Sequence, residues 1–258
     1  MASNIKEIHE SFAQQAETFD TTPMNVSRRE HMAHMIGMLS PLDEDSILEV
    51  AAGTCACGRE LAETAAAVTC LDTTPEMLEV GKQEAFKKNL ANMVFVVGDA
   101  GALPFLEGSF DMTLCRLAFH HIPEYEKPFS EMVRVLKPGG RLVLVDLAAP
   151  EESLRQVKDE LETIRDPSHA KTLSREEMLA LFKKEDLSVI SCDQKDLPVS
   201  LDDWLDVTKV SPEVAEEITQ KLCDEMAGGA KTGFDPYDKD GTIFFDQHWV
   251  TIVGTKPE

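Results

Sequence analysis

"SILEVAAGTCACGRELA", residues 46–62, is an apolar run that breaks into a loop of small residues and then resumes at helical spacing. Ile47-Leu48-Glu49-Val50 is short and mostly apolar, which predicts a buried strand. Gly53 lets backbone come close to a ligand, because it has no Cβ. Strand, tight loop and helix together form the layout of a nucleotide-type cofactor loop. Two features set this loop apart. Ala51 and Cys55 stand where such loops often carry glycine, and Glu49 puts a carboxylate at the strand end. That acid repels a pyrophosphate and favours a ligand with a cationic amine or sulfonium.

The pattern extends outward from this loop. Strand-like runs at 46–51, 67–71, 93–97, 110–115 and 141–147 alternate with helical patterns at 57–65, 75–88 and 125–136. Such alternation predicts an α/β fold with a doubly wound, mostly parallel sheet covered on both faces. A run at 187–193 and the β-rich end "GTIFFDQHWVTIVGTK" bring the expected strands to seven. Asp238-Lys239-Asp240-Gly241 before that end predicts a hairpin turn; its acids lack the glutamate spacing of a calcium loop. Helical patterns also cover 4–19, 26–39, 151–165, 174–184 and 201–227. The simplest organisation is one domain over 1–258. It has a helical cap or lid at 1–40, a cofactor-binding core at 45–147, and substrate-side helices and last strands at 148–258.

Composition narrows the function. With 25 basic and 47 acidic residues the formal charge is −22. Nucleic acid needs a basic face, so it is excluded as a partner, and so is docking on anionic lipid. No run of about 18 apolar residues predicts membrane insertion. The six cysteines fall at 55, 57, 70, 115, 192 and 223, with no second pair at zinc spacing, so no metal site is expected. With no signal-peptide pattern, the chain reads as cytoplasmic with reduced thiols.

Ligands of open α/β sheets bind beyond the carboxyl ends of the strands. The loops there are 49–58, 72–77, 98–105, 116–123 and 146–152. Asp72 follows Glu49 by 23 residues and ends the second strand, where an acid accepts hydrogen bonds from ribose hydroxyls. Asp99 ends the third and can accept from an adenine amine. Three acids so placed fit an adenosine with a positively charged tail. Thr73 or Thr74 also reads as a helix cap, with Pro75 at the helix start.

"ILEVAAGTC", "CLDTTPEMLEVGK", "VVGDAGALPF", "FDMTLCRLAFHHIP" and "VRVLKPGGRLVLVD" follow one another in order over about residues 45–147. Together they resemble the class I S-adenosylmethionine-dependent methyltransferases, in particular the branch that includes the ubiquinone/menaquinone-biosynthesis C-methyltransferases. "RDPSHAKTLSREEM" at 165–178 further resembles a largely uncharacterised bacterial subgroup of that branch. The resemblance implies a Rossmann-like methyltransferase fold with S-adenosyl-L-methionine as cofactor and S-adenosyl-L-homocysteine as product. It implies that Glu49, Ala51 and Gly53 hold the methionine end, with Arg116 and Leu117 lining that side. Asp72 would hold the ribose with Thr73 and Met77 flanking, and Asp99 and Ala100 would flank the adenine. The quinone-methylating branch tolerates alanine at the position of Ala51. Cys55 replaces a third glycine and is expected to narrow the space near the cofactor's carboxylate.

A sulfonium activates its own methyl group, so the protein must supply orientation and, for some acceptors, a base. His120 and His121 follow the fourth strand beside the expected methyl position and are the catalytic candidates. "HHIP" also reads as a structural turn. Phe12 and Phe19 on the N-terminal helix are candidates for a lid that excludes water. Arg165 and His169 lie where substrate-side insertions sit, and Asp166-Pro167 reads equally as a helix break. His31 and His34, three apart on a helix, are expected to pack or face solvent, and Trp204 and Trp249 to be core. The expected function is SN2-type methyl transfer to a small-molecule acceptor by a monomer or homodimer. The alternative is a non-catalytic S-adenosylmethionine-binding sensor or partner subunit. A dinucleotide-dependent dehydrogenase is disfavoured by Glu49.

Overall fold

The computed structural model describes residues 2–22, 32, 35–37, 39 and 41–258. The helix expected at 26–39 falls mostly outside them, as do His31 and His34; residues 32, 35–37 and 39 are helical.

Strands β1 (Ser46–Val50), β2 (Ala67–Asp72), β3 (Met93–Val97), β4 (Phe110–Arg116) and β5 (Leu136–Leu147) pair in parallel in the order β3-β2-β1-β4-β5. The order reverses at β1, which moves the chain to the other half of the sheet and opens a crevice at the carboxyl ends of β1 and β4. Beyond β5 lie two long antiparallel strands, β8 (Thr242–Thr255) and then β6 (Ser188–Ser200). A three-residue strand, β7 (Tyr237–Lys239), pairs with β8 and makes an eighth where seven were expected. The hairpin between them turns at Asp240 and Gly241 with φ of 56° and 84°. That is the left-handed pair a two-residue hairpin of matching twist requires.

Helices cover both faces: α1 (Ala2–Gln15), α2 (Ala56–Leu61), α3 (Pro75–Lys87), α4 (Glu126–Val135), α5 (Glu152–Arg165), α6 (Arg175–Lys184), α7 (Leu201–Thr208) and α8 (Pro212–Met226). Alternation along β1 sends Leu48 and Val50 into a core with Phe129 and Phe182 under α4 and α6. Ile47 goes to the opposite core with Leu61 and Val68 under α2. Glu49 shares the face of Ile47, so its carboxyl is delivered beneath α2. A third cluster gathers Trp204, Phe234, Phe245 and Ile218 around α7 and α8.

The helix expected over 201–227 is two helices. Lys209 takes the left-handed conformation, φ 51°, and ends α7. Ser211 then caps α8, its hydroxyl accepting from Val214 N with Pro212 in the first turn. The apolar period runs through both helices, so only the local stop signals mark the break.

Candidate active site

The strand ends surround one cavity of about 510 Å³, within the usual size range of small-molecule sites. Two of its walls follow from the sheet order. The ends of β2 and β3 supply Asp72, Thr73, Asp99 and Ala100 on one side. The ends of β4 and β5, with α7, supply His120, His121, Leu147 and Trp204 on the other. Helix α1 roofs both with Ile5, Ile8 and Phe12.

The loop after β1 explains where glycine is preferred. Ala51, Gly53 and Cys55 all have left-handed backbone, with φ of 52°, 53° and 58°. A Cβ costs about 1–2 kcal/mol in that region, so two of three positions carry strain. Cys55 does not narrow the cavity. Its thiol is fully buried and lies 3.6 Å from Gly53 O. A Cβ on Gly81 of α3 would come within 2.8 Å of it. The sulfur therefore fills the seam between loop and helix, behind the wall.

Asp72 is the hub of the wall at the end of β2. Its Oδ2 accepts Gly53 N at 2.7 Å and its Oδ1 accepts Thr74 N at 2.8 Å. Thr74 is the N-cap of α3 but makes no side-chain cap bond, so the expected threonine cap is absent and Asp72 holds only the N–H of Thr74 itself. Burial raises the Asp72 pKa against those two N–H donors. Each carboxylate oxygen retains a lone pair for a further donor. Met77 packs beside Gly53, its Cε 3.3 Å from where a Cβ there would stand.

Glu49 is 4% exposed. Its Oε2 accepts Gly58 N at 2.7 Å from the first turn of α2. Burial pushes its pKa up to about 7, against the Gly58 N–H and the Arg116 cation. Arg116, at the end of β4, stacks its guanidinium 5.2 Å over the Trp249 ring. Its Nε is buried with no hydrogen-bond partner. Leu117 holds a left-handed φ of 52° while its N–H bonds Val145 O at 2.7 Å. A branched residue in that conformation is strained, and here it turns the chain sharply from β4 into the cavity wall.

His120 and His121 sit in one 3-10 turn, Phe119–His121. The rings are 4.2 Å apart. Phe12 meets the His121 ring edge-on at 5.1 Å and the Phe19 ring at 6.3 Å, and both phenylalanines line the cavity. Arg165 lines the cavity with its guanidinium 4.4 Å over Trp204 and an ion pair to Glu162 at 3.1 Å. His169 lies behind the wall: its Nε2 bonds Asp159 Oδ1 at 2.9 Å. Trp204 is core, as expected, but also forms part of the cavity floor.

Other residues at the site had no sequence reading. Asp20 accepts from Arg59 Nη2 at 2.6 Å and from the Thr54 hydroxyl at 2.7 Å, tying the turn Phe19–Thr21 to the loop after β1. His9 Nε2 lies 3.0 Å from Thr73 Oγ1, and Ser11 donates to Asp166 at 3.2 Å. These partners are far apart in sequence, so no local pattern marks them. Asp146 had a signal, an acid closing a strand beside the strand that carries the histidines. Among the described residues no group of three His, Cys, Asp or Glu is placed to hold a metal, and no helix is long and apolar enough to cross a membrane.

Comparison with known proteins adds the following. A family profile described as "Methyltransferase domain" matches residues 48–144. The uncharacterised methyltransferase YcgJ of Bacillus subtilis is 39% identical over 136 residues, 52% of this chain and 54% of that one. The chain superposes on the YcgJ crystal structure with a TM-score of 0.80, 28% identity and coverage of 89% and 99%. YafE of Escherichia coli, itself uncharacterised, is 32% identical over 56% of this chain and 70% of that one. A demethylmenaquinone methyltransferase of Deinococcus radiodurans is 40% identical over 42% and 45%. The chain thus spans about half the length of YcgJ and of the Deinococcus protein in sequence.

Proposed function

The chain belongs to the methyltransferase family, and from that premise we propose that it transfers a methyl group from S-adenosylmethionine to a small-molecule acceptor inside the cavity. The observation that carries the reading is an acid and a base, Glu49 and Arg116, in the wall of one cavity. Glu49 and Arg116 stand at neighbouring strand ends and both line the cavity. An amino-acid tail, with one ammonium and one carboxylate, satisfies both; a pyrophosphate would leave Glu49 facing like charge. Asp72, already gripping Gly53 and Thr74, retains acceptor capacity for a ribose diol, and Asp99 lines the cavity beyond it.

When bound, the cofactor supplies a methyl carbon activated by a positively charged sulfur. The residues of this chain do the rest. Glu49, Gly53 and Arg116 orient the tail, with Ala51 and Leu117 in contact beside them. Thr73, Met77 and Ala100 flank the adenosine. Phe12 and Phe19 exclude water from above, and His120 and His121 stand where the acceptor's proton must leave. Arg165 borders the acceptor end. The roof of α1 favours an acceptor small enough to be enclosed, and the likeness to a quinone-methylating enzyme favours ring carbon over other atoms. Residues 1–40 act in this reading as lid, 45–147 as cofactor core and 148–258 as acceptor side of one catalytic unit. All six cysteines are free thiols, which fits a reducing cytoplasm.

Titration calorimetry with S-adenosylmethionine and, separately, NAD tests the assignment. Binding of the first and not the second is expected. Asp72→Ala should weaken that binding by about 1–3 kcal/mol, the loss of a charge-assisted hydrogen bond. NAD binding, or an unchanged affinity in Asp72→Ala, would overturn the cofactor placement.

A further inference from the structure

The adjacent imidazoles of the Phe119–His121 turn are anchored to different partners, and the partners decide which ring can take a proton. His120 Nδ1 lies 2.5 Å from Asp146 Oδ1 at the end of β5. Asp146 is buried, and it also accepts Leu147 N at 2.7 Å and His120 N at 3.2 Å. An ionised carboxylate only accepts, so the His120 hydrogen sits on Nδ1 and the lone pair on Nε2.

His121 is tied to a hydroxyl instead. Asp166 Oδ1 accepts both the N–H and the O–H of Ser168, at 3.0 and 2.6 Å. The Ser168 proton is thereby committed. At the 3.0 Å contact His121 Nδ1 must donate to Ser168 Oγ. A hydroxyl brings no charge to stabilise an imidazolium, and a second cation 4.2 Å from the first ring would be repelled.

We propose that His120, positioned by Asp146, takes the proton from the methyl acceptor, while His121, buried beside that ring with its hydrogen directed at the Ser168 hydroxyl, stays neutral. The acceptor is then a weak acid, a hydroxyl or an activated carbon that must lose a proton to become a nucleophile. This rests on the methyl-transfer reading above. As the acceptor's bond to hydrogen breaks, a bond to hydrogen forms at His120 Nε2. The electron pair left on the acceptor closes on the methyl carbon, and the carbon–sulfur pair stays with sulfur. The proton passes from His120 to water, and Asp146 remains ionised throughout.

The surrounding charges agree. Burial lowers the His120 pKa, but Asp146 from β5, and Glu162 and Asp166 from α5 and just beyond it, outweigh burial and raise it overall. Burial, helped by His120 and His169 and opposed by Asp166, pushes His121 down to about 3. His169, 5.9 Å from His120, is itself tied to Asp159.

Histidine-labelled full-length protein, followed by nitrogen NMR from about pH 5 to about pH 9, tests the assignment. His120→Gln and His121→Gln identify the signals. His120 should titrate with a midpoint above 6.5, the ordinary value, and keep its hydrogen on Nδ1. His121 should remain neutral through the whole range. Asp146→Asn should lower the His120 midpoint by about 1 unit or more, the effect of losing a close carboxylate. Ser168→Ala should let the His121 hydrogen redistribute between its nitrogens and leave the His120 midpoint in place. If His121 titrates above 6.5, or if Asp146→Asn leaves His120 unmoved, the proposal is wrong; the wild-type titration decides even if a variant fails to fold. Calorimetry on the same sample separates the two readings. An inverted titration in protein that binds S-adenosylmethionine defeats only the assignment of the base, whereas absent binding defeats the methyl transfer on which it rests.

Discussion

Glu49 couples the charge of the site to the stability of the fold. Burial holds its pKa near 7, compared with 4.5 for an unperturbed glutamate. A folded pKa above the unfolded one means the fold binds the extra proton between those two values. The stabilising contribution is therefore complete below 4.5 and is lost as pH rises through 7, about 3 kcal/mol in all at 1.36 kcal/mol per unit. Glu49→Gln should remove that dependence. In denaturant melts it should stabilise the unliganded protein at about pH 8 and change little near pH 5. Its affinity for S-adenosylmethionine should fall, because the ammonium loses its anion. A variant that is no more stable than wild type at pH 8 would show that the carboxyl ionises freely in place. Two positions away, Ala51 carries a left-handed φ of 52°. Ala51→Gly should raise stability by about 1 kcal/mol, strain relief partly offset by the entropy glycine loses on folding. Cys55→Gly should show no such gain, because the same relief is offset by the void left against Gly81. Equal gains at both positions would contradict the packing assigned to the thiol.

The turn that follows helix α1, Phe19–Thr21, is tied to the loop after β1 through Asp20. It takes the Arg59 guanidinium, 9% exposed, and the Thr54 hydroxyl. Asp20→Ala takes the carboxylate from a nearly buried cation, which keeps its bond to Thr54 O at 2.6 Å, and should cost about 1–3 kcal/mol locally. Hydrogen exchange over residues 2–22 should quicken while the amides of β1 and β4 remain protected. Unchanged exchange in α1 would mean its apolar face, not the ion pair, holds the lid. The sequence shows the lid helix through its apolar spacing, but not this latch, because Asp20 and Arg59 lie 39 residues apart and belong to no shared period. The same division runs through the molecule. The strands at 46–50, 67–72 and 110–116 were legible to within about a residue, since parallel strands buried on both faces are continuous apolar runs; the half-exposed edge strand at 93–97 was legible from its apolar run alone. The break at Lys209 was missed, since a non-glycine residue can adopt left-handed backbone without announcing it. At the site, Glu49, Asp72 and the two histidines were legible from their places at strand ends. Asp146 and Ser168 act through the histidines across tertiary contacts, and the turn holding Ser168 gave no hint of its partner.

At the scale of the whole molecule the formal charge of −22 acts on folding and on the cofactor in opposite directions. Forty-seven acids against 25 bases leave an excess of 22 carboxylates, so the compact state repels itself. The ion pairs on the surface, such as Lys184–Glu126 with both side chains more than half exposed, contribute too little to offset this. Raising the salt from about 10 mM to about 150 mM shortens the screening length from about 30 Å to about 8 Å. Self-repulsion between distant carboxylates then fades, and the unliganded protein should melt about 2–4 °C higher, the shift for about 1 kcal/mol in a chain of this size. S-adenosylmethionine carries a net positive charge, and the same acidic field draws it in. Screening should therefore loosen its binding by about a factor of 2 or more, mainly through a slower association rate. Melting and binding should thus move apart as salt is added. A melting temperature that falls with salt would show that close ion pairs, not the diffuse field, govern stability. A salt-independent affinity would show that the cofactor meets only the local charges of Glu49, Arg116 and Asp72, with the rest of the acidic surface having no part in its capture.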